Sequence, residues 1–251
     1  MSSEKSTGLV LRVVDFSESS CIVTLFTRDF GKISALAKGG RRPKSPFESA
    51  IDLLSVIRVV FLHKSSESLD LLTEAKLERR FRAAQRDLSR LYAGFYLAEL
   101  LSQLTDEADP HPELFDAAAA ALEALDGEAD VAATVLRFEL TALRELGHLP
   151  MLKTCAGCGR DMPETPRVAF GHAAGGMLCS ACRVGHRQVV SLGREAWETL
   201  LAFADPLASP AAIAAVPARV RGEVRGVINQ YVCHLLGHRP RMHSYLGVLA
   251  N

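Results

Sequence analysis

One segment near the N-terminus has the sequence Ile22-Val-Thr-Leu-Phe-Thr-Arg-Asp-Phe-Gly-Lys-Ile-Ser-Ala-Leu-Ala37, two short apolar runs with a polar stretch between them. Runs of this length that are rich in β-branched and aromatic residues are typical of strands. The polar stretch Thr27–Lys32 has the composition of a hairpin turn, and Gly31 can adopt the positive φ that such turns use. The segment therefore predicts a β-hairpin.

Three further β-rich runs accompany this hairpin in the first third of the chain. They are Leu9–Val14, Leu53–Leu62 and Leu69–Leu77, and polar stretches suited to turns separate them. Five strands within about 70 residues are typical of a small closed barrel. The sequence therefore predicts a β-barrel as the N-terminal domain.

After Arg80 the apolar residues recur every three or four positions, which is the period of an α-helix. The first of these helices is expected around Leu88 to Leu104 as a central core helix, because apolar residues occupy several of its faces. Others are predicted at Glu113–Leu125, Val131–Leu146, Arg194–Phe203 and Ala218–Leu236. The predicted fold is α+β and multi-domain, with a barrel over residues 1–80 and a helical domain over residues 81–251.

Four cysteines form two pairs of equal spacing within the helical domain, Cys155-Ala-Gly-Cys158 and Cys179-Ser-Ala-Cys182. This doubled spacing is that of a tetrahedral zinc site with four thiolates, which predicts a zinc module at residues 151–190 or so. Four thiolates leave no position open for water, so the zinc would be structural and not catalytic. Two disulfides, a redox pair or a chance spacing are the alternatives.

The two remaining cysteines and the N-terminus indicate a reducing compartment. Cys21 and Cys233 lie in apolar runs, where a free thiol behaves as a small hydrophobic residue. The N-terminal residues lack the apolar core of a signal peptide, and no apolar stretch reaches the roughly 20 residues that cross a bilayer. We therefore expect a cytoplasmic protein without a membrane segment.

The net charge is zero, but the charges are unevenly distributed. Residues 1–80 carry 13 Lys/Arg and 10 Asp/Glu (+3), residues 81–150 carry 5 and 13 (−8), and residues 151–251 carry 11 and 6 (+5). The basic segments suit an acidic partner such as nucleic acid. Solvated surfaces without a binding role would give the same distribution.

A basic loop, Lys38-Gly-Gly-Arg-Arg-Pro-Lys-Ser45, follows the third predicted strand. Lys38, Arg41, Arg42 and Lys44 are candidate DNA-binding residues, because glycines admit close approach to a phosphate backbone and each cation can displace counterions. A charge run is more often a solvated loop, and only 6% of the chain is aromatic and able to stack on bases. The aromatic candidates near the loop fit the barrel core equally well: Phe16, Phe26, Phe30 and Phe47.

The order of these elements resembles the family of the bacterial recombination mediator RecO. The resemblance rests on the cysteine quartet, on the closing segment Tyr231–Leu246, and on four N-terminal stretches, Gly8–Glu18, Ile22–Thr27, Gly31–Lys32 and Ala37–Ser45. It covers nearly the whole chain. The family commonly has a more basic closing segment, where this chain has His238 and Pro240.

The resemblance implies an oligonucleotide/oligosaccharide-binding (OB) barrel followed by a helical domain with a zinc module. It also implies a nucleoid-associated mediator of DNA repair and homologous recombination in the RecF pathway. Members of the family bind single- and double-stranded DNA, anneal complementary strands and, with RecR, help load RecA onto DNA coated by single-stranded DNA-binding protein. The Lys38–Lys44 loop would then lie on the binding face of the barrel.

Two other classes of function compete with this one. A zinc-stabilised adaptor that binds proteins and contacts DNA only weakly is compatible with the cysteines and helices. A metalloenzyme is disfavoured because all four candidate ligands are thiolates and no general base lies beside them. The sequence has no nucleotide-binding glycine motif either, so we expect a protein that is not an enzyme.

Overall fold

The computed structural model describes residues 2–42, 45, 47, 50–63, 69–83, 87–208 and 216–246. The chain forms two compact units, Met1–Ala129 and Asp130–Asn251. The first unit contains a barrel and two helices, and the second contains helices, a small sheet and the four paired cysteines. Among the described residues, no helix is long and apolar enough to span a membrane.

Five strands close into a barrel in the first unit, as predicted. The long β1 pairs with β4 through its N-terminal half and with β2 through its C-terminal half, with a register shift between Val10 and Arg12. A short parallel pairing of β3 with β5 completes the closure. The strands are β1 (Ser2–Asp15), β2 (Cys21–Thr27), β3 (Gly31–Ala37), β4 (Val56–His63) and β5 (Asp70–Arg79).

Two strand boundaries differ from the apolar runs of the sequence. β1 begins at Ser2, well before Leu9, because its polar first half pairs with β4 through main-chain hydrogen bonds. β4 begins at Val56 and not at Leu53, because the preceding residues turn and Leu54 has a φ of +63°. Main-chain pairing sets the first boundary and a backbone turn sets the second, and side-chain polarity reveals neither.

The barrel core is filled by alternate residues of the strands. Val23 and Leu25 of β2 and Phe61 of β4 are completely buried there. Phe30 packs edge-on against Phe61, with ring centroids 5.4 Å apart. Because inward and outward residues alternate along a strand, this core also defines which side chains of β1, β2 and β3 face outward.

Two helices complete the first unit, α1 (Leu88–Leu104) and α2 (Pro112–Asp126). The Asp87 carboxylate caps α1 by accepting a hydrogen bond from the N–H of Ser89 at 2.8 Å. Pro112 is the first residue of α2, where the missing N–H costs nothing. Both helices match the periodic segments that the sequence predicted.

Acidic residues of α2 neutralise arginines of the barrel. Arg28 donates two hydrogen bonds of 2.9 Å to the Asp116 carboxylate, and this contact lowers the pKa of Asp116. Arg79 forms a second ion pair, with Glu123, at 2.6 Å. Part of the negative charge of residues 81–150 is therefore neutralised by ion pairs within the first unit.

The β2–β3 hairpin is joined closely to the segment that follows α1. Lys32 Nζ donates hydrogen bonds to the carbonyls of Ser102 at 2.7 Å and Thr105 at 2.5 Å, at the C-terminal end of α1. Gly31 has the predicted positive φ, +66°, and a Cβ placed on it would overlap the carbonyl group of Asp109. Both the conformation and the space at this position therefore require glycine.

The second unit combines helices with a sheet that the sequence did not predict. The helices are α3 (Val131–Glu145), α4 (Arg194–Ala204), α5 (Ala218–Leu236) and the short α6 (His243–Leu246). Arg225 and the buried Glu139 join α5 to α3 through an ion pair of 2.9 Å. The antiparallel sheet has the order β7 (Gly176–Leu178), β6 (Arg167–Gly171), β8 (Val189–Gly193). Its strands are too short to show a period.

Candidate functional site

The four predicted metal ligands come together in the second unit. The Sγ atoms of Cys155, Cys158, Cys179 and Cys182 all lie within 4.8 Å of one another, and those of Cys158 and Cys179 are 4.0 Å apart. Four sulfurs bound at about 2.3 Å around one tetrahedral ion would be separated by about 3.8 Å. A disulfide needs a separation of about 2.05 Å, and all six cysteines are free thiols. The cluster therefore fits a metal ion held by four thiolates.

Glycines and a hydrogen bond to β7 shape the first Cys-x-x-Cys turn and leave room for the second. Gly159 has a φ of +73°, and a Cβ on Gly157 would lie 3.0 Å from the Cβ of Cys182. The second turn can thus approach the first because Gly157 has no side chain. The N–H of Ala156 donates to the carbonyl of Met177 at 2.7 Å and fastens the first turn to β7.

Hydrogen-bond donors face the sulfurs. Burial disfavours the Cys155 thiolate, but backbone N–H groups, including that of Cys179 at 3.3 Å, outweigh it and lower the pKa of Cys155 to about 6. Arg160 Nε, 3.4 Å from Cys158 Sγ, lowers the pKa of that thiol. The neighbouring sulfurs, Cys179 first, raise the pKa of Cys182 to about 12. The neighbouring sulfurs therefore disfavour ionisation of Cys182 when no cation is bound, whereas a bound divalent ion would stabilise all four thiolates.

The two histidines nearest in sequence do not join the cluster. The His172 ring is buried, with Nδ1 2.9 Å from the Gln188 carbonyl and the ring centroid 5.3 Å from that of Phe170. His186 lies exposed on the turn before β8. The metal-ligating group found among the described residues consists of the four cysteines alone. This is the composition of a closed structural site.

The basic loop is exposed at one end of the barrel. Lys38, Arg41 and Arg42 are brought together on it, whereas the predicted Lys44 lies outside the described residues. Gly39 has a φ of +71°, and its carbonyl accepts a hydrogen bond of 3.0 Å from the N–H of Arg42. The loop, defined from here on as residues 38–42, is therefore a folded turn that presents three cations to solvent.

Arg41 joins the basic loop to the turn between β1 and β2. Its guanidinium lies 3.1 Å from the Asp15 carboxylate and donates to the Ser17 carbonyl at 3.2 Å. Its own N–H donates to the carbonyl of Ser19 at 3.0 Å. The loop and the β1–β2 turn thus form one surface, in which Asp15 offsets part of the positive charge.

Among the four aromatic candidates near the loop, Phe16 alone is exposed, by 60%. Phe26 and Phe47 are buried, and the half-buried Phe30 packs against Phe61, so Phe16 is the ring most accessible to a ligand. Phe16 lies on the β1–β2 turn, directly beside Asp15. The polar residues on both sides of Phe16 were the sequence signal for its exposure, but the adjoining apolar strand equally suited a core residue.

Comparison with known proteins places both units in one family. The family model "Recombination protein O N terminal" matches residues 1–81, and "Recombination protein O C terminal" matches residues 85–244. Similar proteins include the DNA repair protein RecO of Rhodopirellula baltica, 44% identical over 95% of this chain and 97% of the relative. The RecO proteins of Anaeromyxobacter dehalogenans and Myxococcus xanthus are 35% and 34% identical, over 98% and 96% of this chain and 96% and 95% of those relatives. Since the two models and these similarities span nearly the whole chain, the chain belongs to the recombination protein O (RecO) family.

Proposed function

We propose that this protein is a mediator of DNA repair and homologous recombination that acts by binding DNA. In this role it binds single- and double-stranded DNA, anneals complementary strands and, with RecR, helps load RecA onto DNA coated by single-stranded DNA-binding protein. Membership of a family whose curated members are named DNA repair protein RecO supports the repair function. The single observation that carries the DNA-binding role is the exposed basic loop, with Lys38, Arg41 and Arg42 at one end of a closed barrel.

Such a loop can promote annealing without making or breaking a bond. Each phosphate that a cation neutralises releases condensed counterions, and two strands with neutralised phosphates repel each other less. The proposal requires no nucleotide and no catalytic group, so the protein is not an enzyme in it. Residues 1–80 serve as the OB-fold DNA-binding domain, and residues 81–251 as the helical domain with the zinc module.

The metal in this proposal is zinc, bound by Cys155, Cys158, Cys179 and Cys182. Zinc favours tetrahedral sets of thiolates, and sulfurs within 4.8 Å of one another fit that preference. When bound, zinc supplies a cross-link between the two Cys-x-x-Cys turns. The residues between the paired cysteines are only Ala156, Gly157, Ser180 and Ala181, which are too small to form a core of their own, and this supports a structural role for the cross-link.

Replacing Arg41 and Arg42 together by alanine is expected to weaken DNA binding equally for all sequences. Each lost contact should flatten the dependence of log affinity on log salt by up to about 0.7 on a single strand. The fold should persist, because both side chains are exposed. Fluorescence anisotropy of a labelled oligonucleotide, titrated at several salt concentrations, measures the slope.

Arg58→Ala is the matched control for this double substitution. Arg58 is also an exposed arginine of the barrel, but its guanidinium is bound to Glu78 through contacts of 3.0 and 2.7 Å. Its loss should leave the salt slope nearly unchanged. An unchanged slope in the Arg41/Arg42 variant as well would show that the basic loop is only a solvated turn.

Asp15→Asn is expected to strengthen DNA binding. The Asp15 carboxylate lies 3.1 Å from the Arg41 guanidinium. It therefore repels an approaching phosphate and neutralises part of the positive charge of Arg41. Removing this charge should raise affinity by about 2- to 5-fold at low salt, which corresponds to the roughly 0.5–1 kcal/mol of an exposed charge pair. The gain should shrink at high salt because screening weakens it. A lower affinity in the anisotropy titration would contradict the placement of DNA at this loop.

A strand-annealing assay tests the proposed function as a whole. Complementary oligonucleotides, bare or coated with single-stranded DNA-binding protein, should anneal faster when the protein is added without any nucleotide. Annealing by the Arg41/Arg42 double variant should be slower than by the wild type. A wild-type protein that leaves the annealing rate unchanged would instead fit the adaptor, and the proposal would be wrong.

A further inference from the structure

An apolar row crosses the outer face of the barrel beside the basic loop. The register pairs Val14 with Ile22, Ile22 with Leu36, and Leu36 with Leu71, so these four residues are neighbours on β1, β2, β3 and β5. The adjacent positions on β2 and β3 point into the core, so the row faces outward. Val14 is 37% exposed and the other three are half-buried. The row is therefore a partly exposed apolar strip on the outer face of the barrel.

Phe16 extends this strip from its β1 end. It lies two residues beyond Val14, and no aromatic side chain in the described part of the chain is more exposed. The turn that carries it is ordered, because the N–H of Phe16 donates to the carbonyl of Ser20 at 3.0 Å and Arg41 holds the same turn. The ring is thus displayed at a defined place next to the basic loop.

Cations lie on both sides of the strip. Arg12 is exposed on β1 two residues before Val14, where it pairs across the sheet with Thr24. On the opposite side, Lys38 follows Leu36 by two residues, at the start of the basic loop. An apolar strip between two cationic margins suits a ligand that has planar apolar groups along a line of negative charges. Single-stranded nucleic acid is such a ligand, whereas a duplex buries the faces of its bases.

We propose that Phe16 stacks on an unpaired base and makes this face of the barrel selective for single strands. The inference rests on the proposed DNA-binding function and assigns a different role to each part of the surface. The basic loop neutralises phosphates of single and double strands alike, while Phe16 and the apolar row contact bases that only a single strand exposes. Arg12 supplies a phosphate contact on the far side of the row.

Phe16→Ala is expected to lower the affinity for a single-stranded oligonucleotide by about 5- to 150-fold, the range of one lost aromatic–base stack. The salt slope should not change, because no charge is removed. Affinity for a duplex, and for an oligonucleotide of the same length that has abasic sites throughout, should equal that of the wild type. Phe16→Trp should retain the single-strand affinity, whereas Phe16→Leu should retain little of it.

Leu88→Ala is the matched control, since Leu88 is also 60% exposed in the first unit but lies at the start of α1. The affinity of this variant for single strands should equal that of the wild type.

The stacking role is overturned if Phe16→Ala binds single strands normally, or if it loses equal affinity for single strands, duplex and abasic DNA. A wild type that binds no DNA would overturn the proposed function as well. Weakened binding by the Arg41/Arg42 variant alongside normal binding by Phe16→Ala would overturn only the stacking role.

Discussion

Protein purified without added metal is expected to contain one zinc ion per chain, and Cys155→Ala is expected to lose it. Cys155 is the most buried of the four ligands, and the backbone N–H of Cys179 donates to its sulfur. Structural zinc binds small domains with an apparent free energy of about 10–16 kcal/mol, which is comparable to the whole stability of a domain. The variant should therefore lose the fold around residues 151–190 and become poorly soluble. Elemental analysis measures the zinc content, and circular dichroism measures the loss of folded structure.

Cys233→Ala separates the loss of a ligand from the loss of any cysteine. Cys233 lies outside the cluster, with its Sγ 3.7 Å from His243 Nδ1. This variant should keep one zinc per chain and melt close to the wild type. Well-folded wild-type protein without zinc, or a Cys155→Ala variant that keeps a full equivalent, would contradict the assignment of the metal.

Gly31→Ala is expected to destabilise the first unit by about 2–5 kcal/mol. This is the sum of two costs: that of holding a residue with a side chain at a left-handed φ, and that of a steric clash. Gly31 has a φ of +66°, and its new Cβ would overlap the backbone of Asp109, above all its carbonyl oxygen. Relief requires the hairpin to move away from the segment after α1, which Lys32 ties to it. Urea denaturation followed by circular dichroism measures the change in the free energy of unfolding.

Gly147→Ala separates the two contributions to that loss. Gly147 has nearly the same φ, +74°, but no atom lies within 4 Å of the position that a Cβ would occupy there. Only the conformational cost remains, so the loss should be about 1–2 kcal/mol. Equal losses at both glycines would show that the contact between Gly31 and Asp109 adds nothing to the stability.

Features that depend on residues a few positions apart were determined by the sequence itself. A Cys-x-x-Cys turn brings two sulfurs together whatever the rest of the chain does, and the repeated spacing predicted a group that the structure assembles. The period of apolar residues placed α5 at Ala218–Leu236, the bounds that the structure has. Gly31 was assigned its positive φ from the composition of a single turn.

Only the tertiary structure decided how distant segments meet. Phe26 of β2 is buried beside Phe115 of α2, with ring centroids 6.3 Å apart, whereas Phe16 on the β1–β2 turn is exposed, although the sequence suited both to a core. The apolar row exists because the strand register sets Val14 beside Ile22 and Leu36 beside Leu71. Register and burial depend on contacts between segments far apart in the chain. The composition and period of one segment carry no information about its partner, so these features could not be predicted locally.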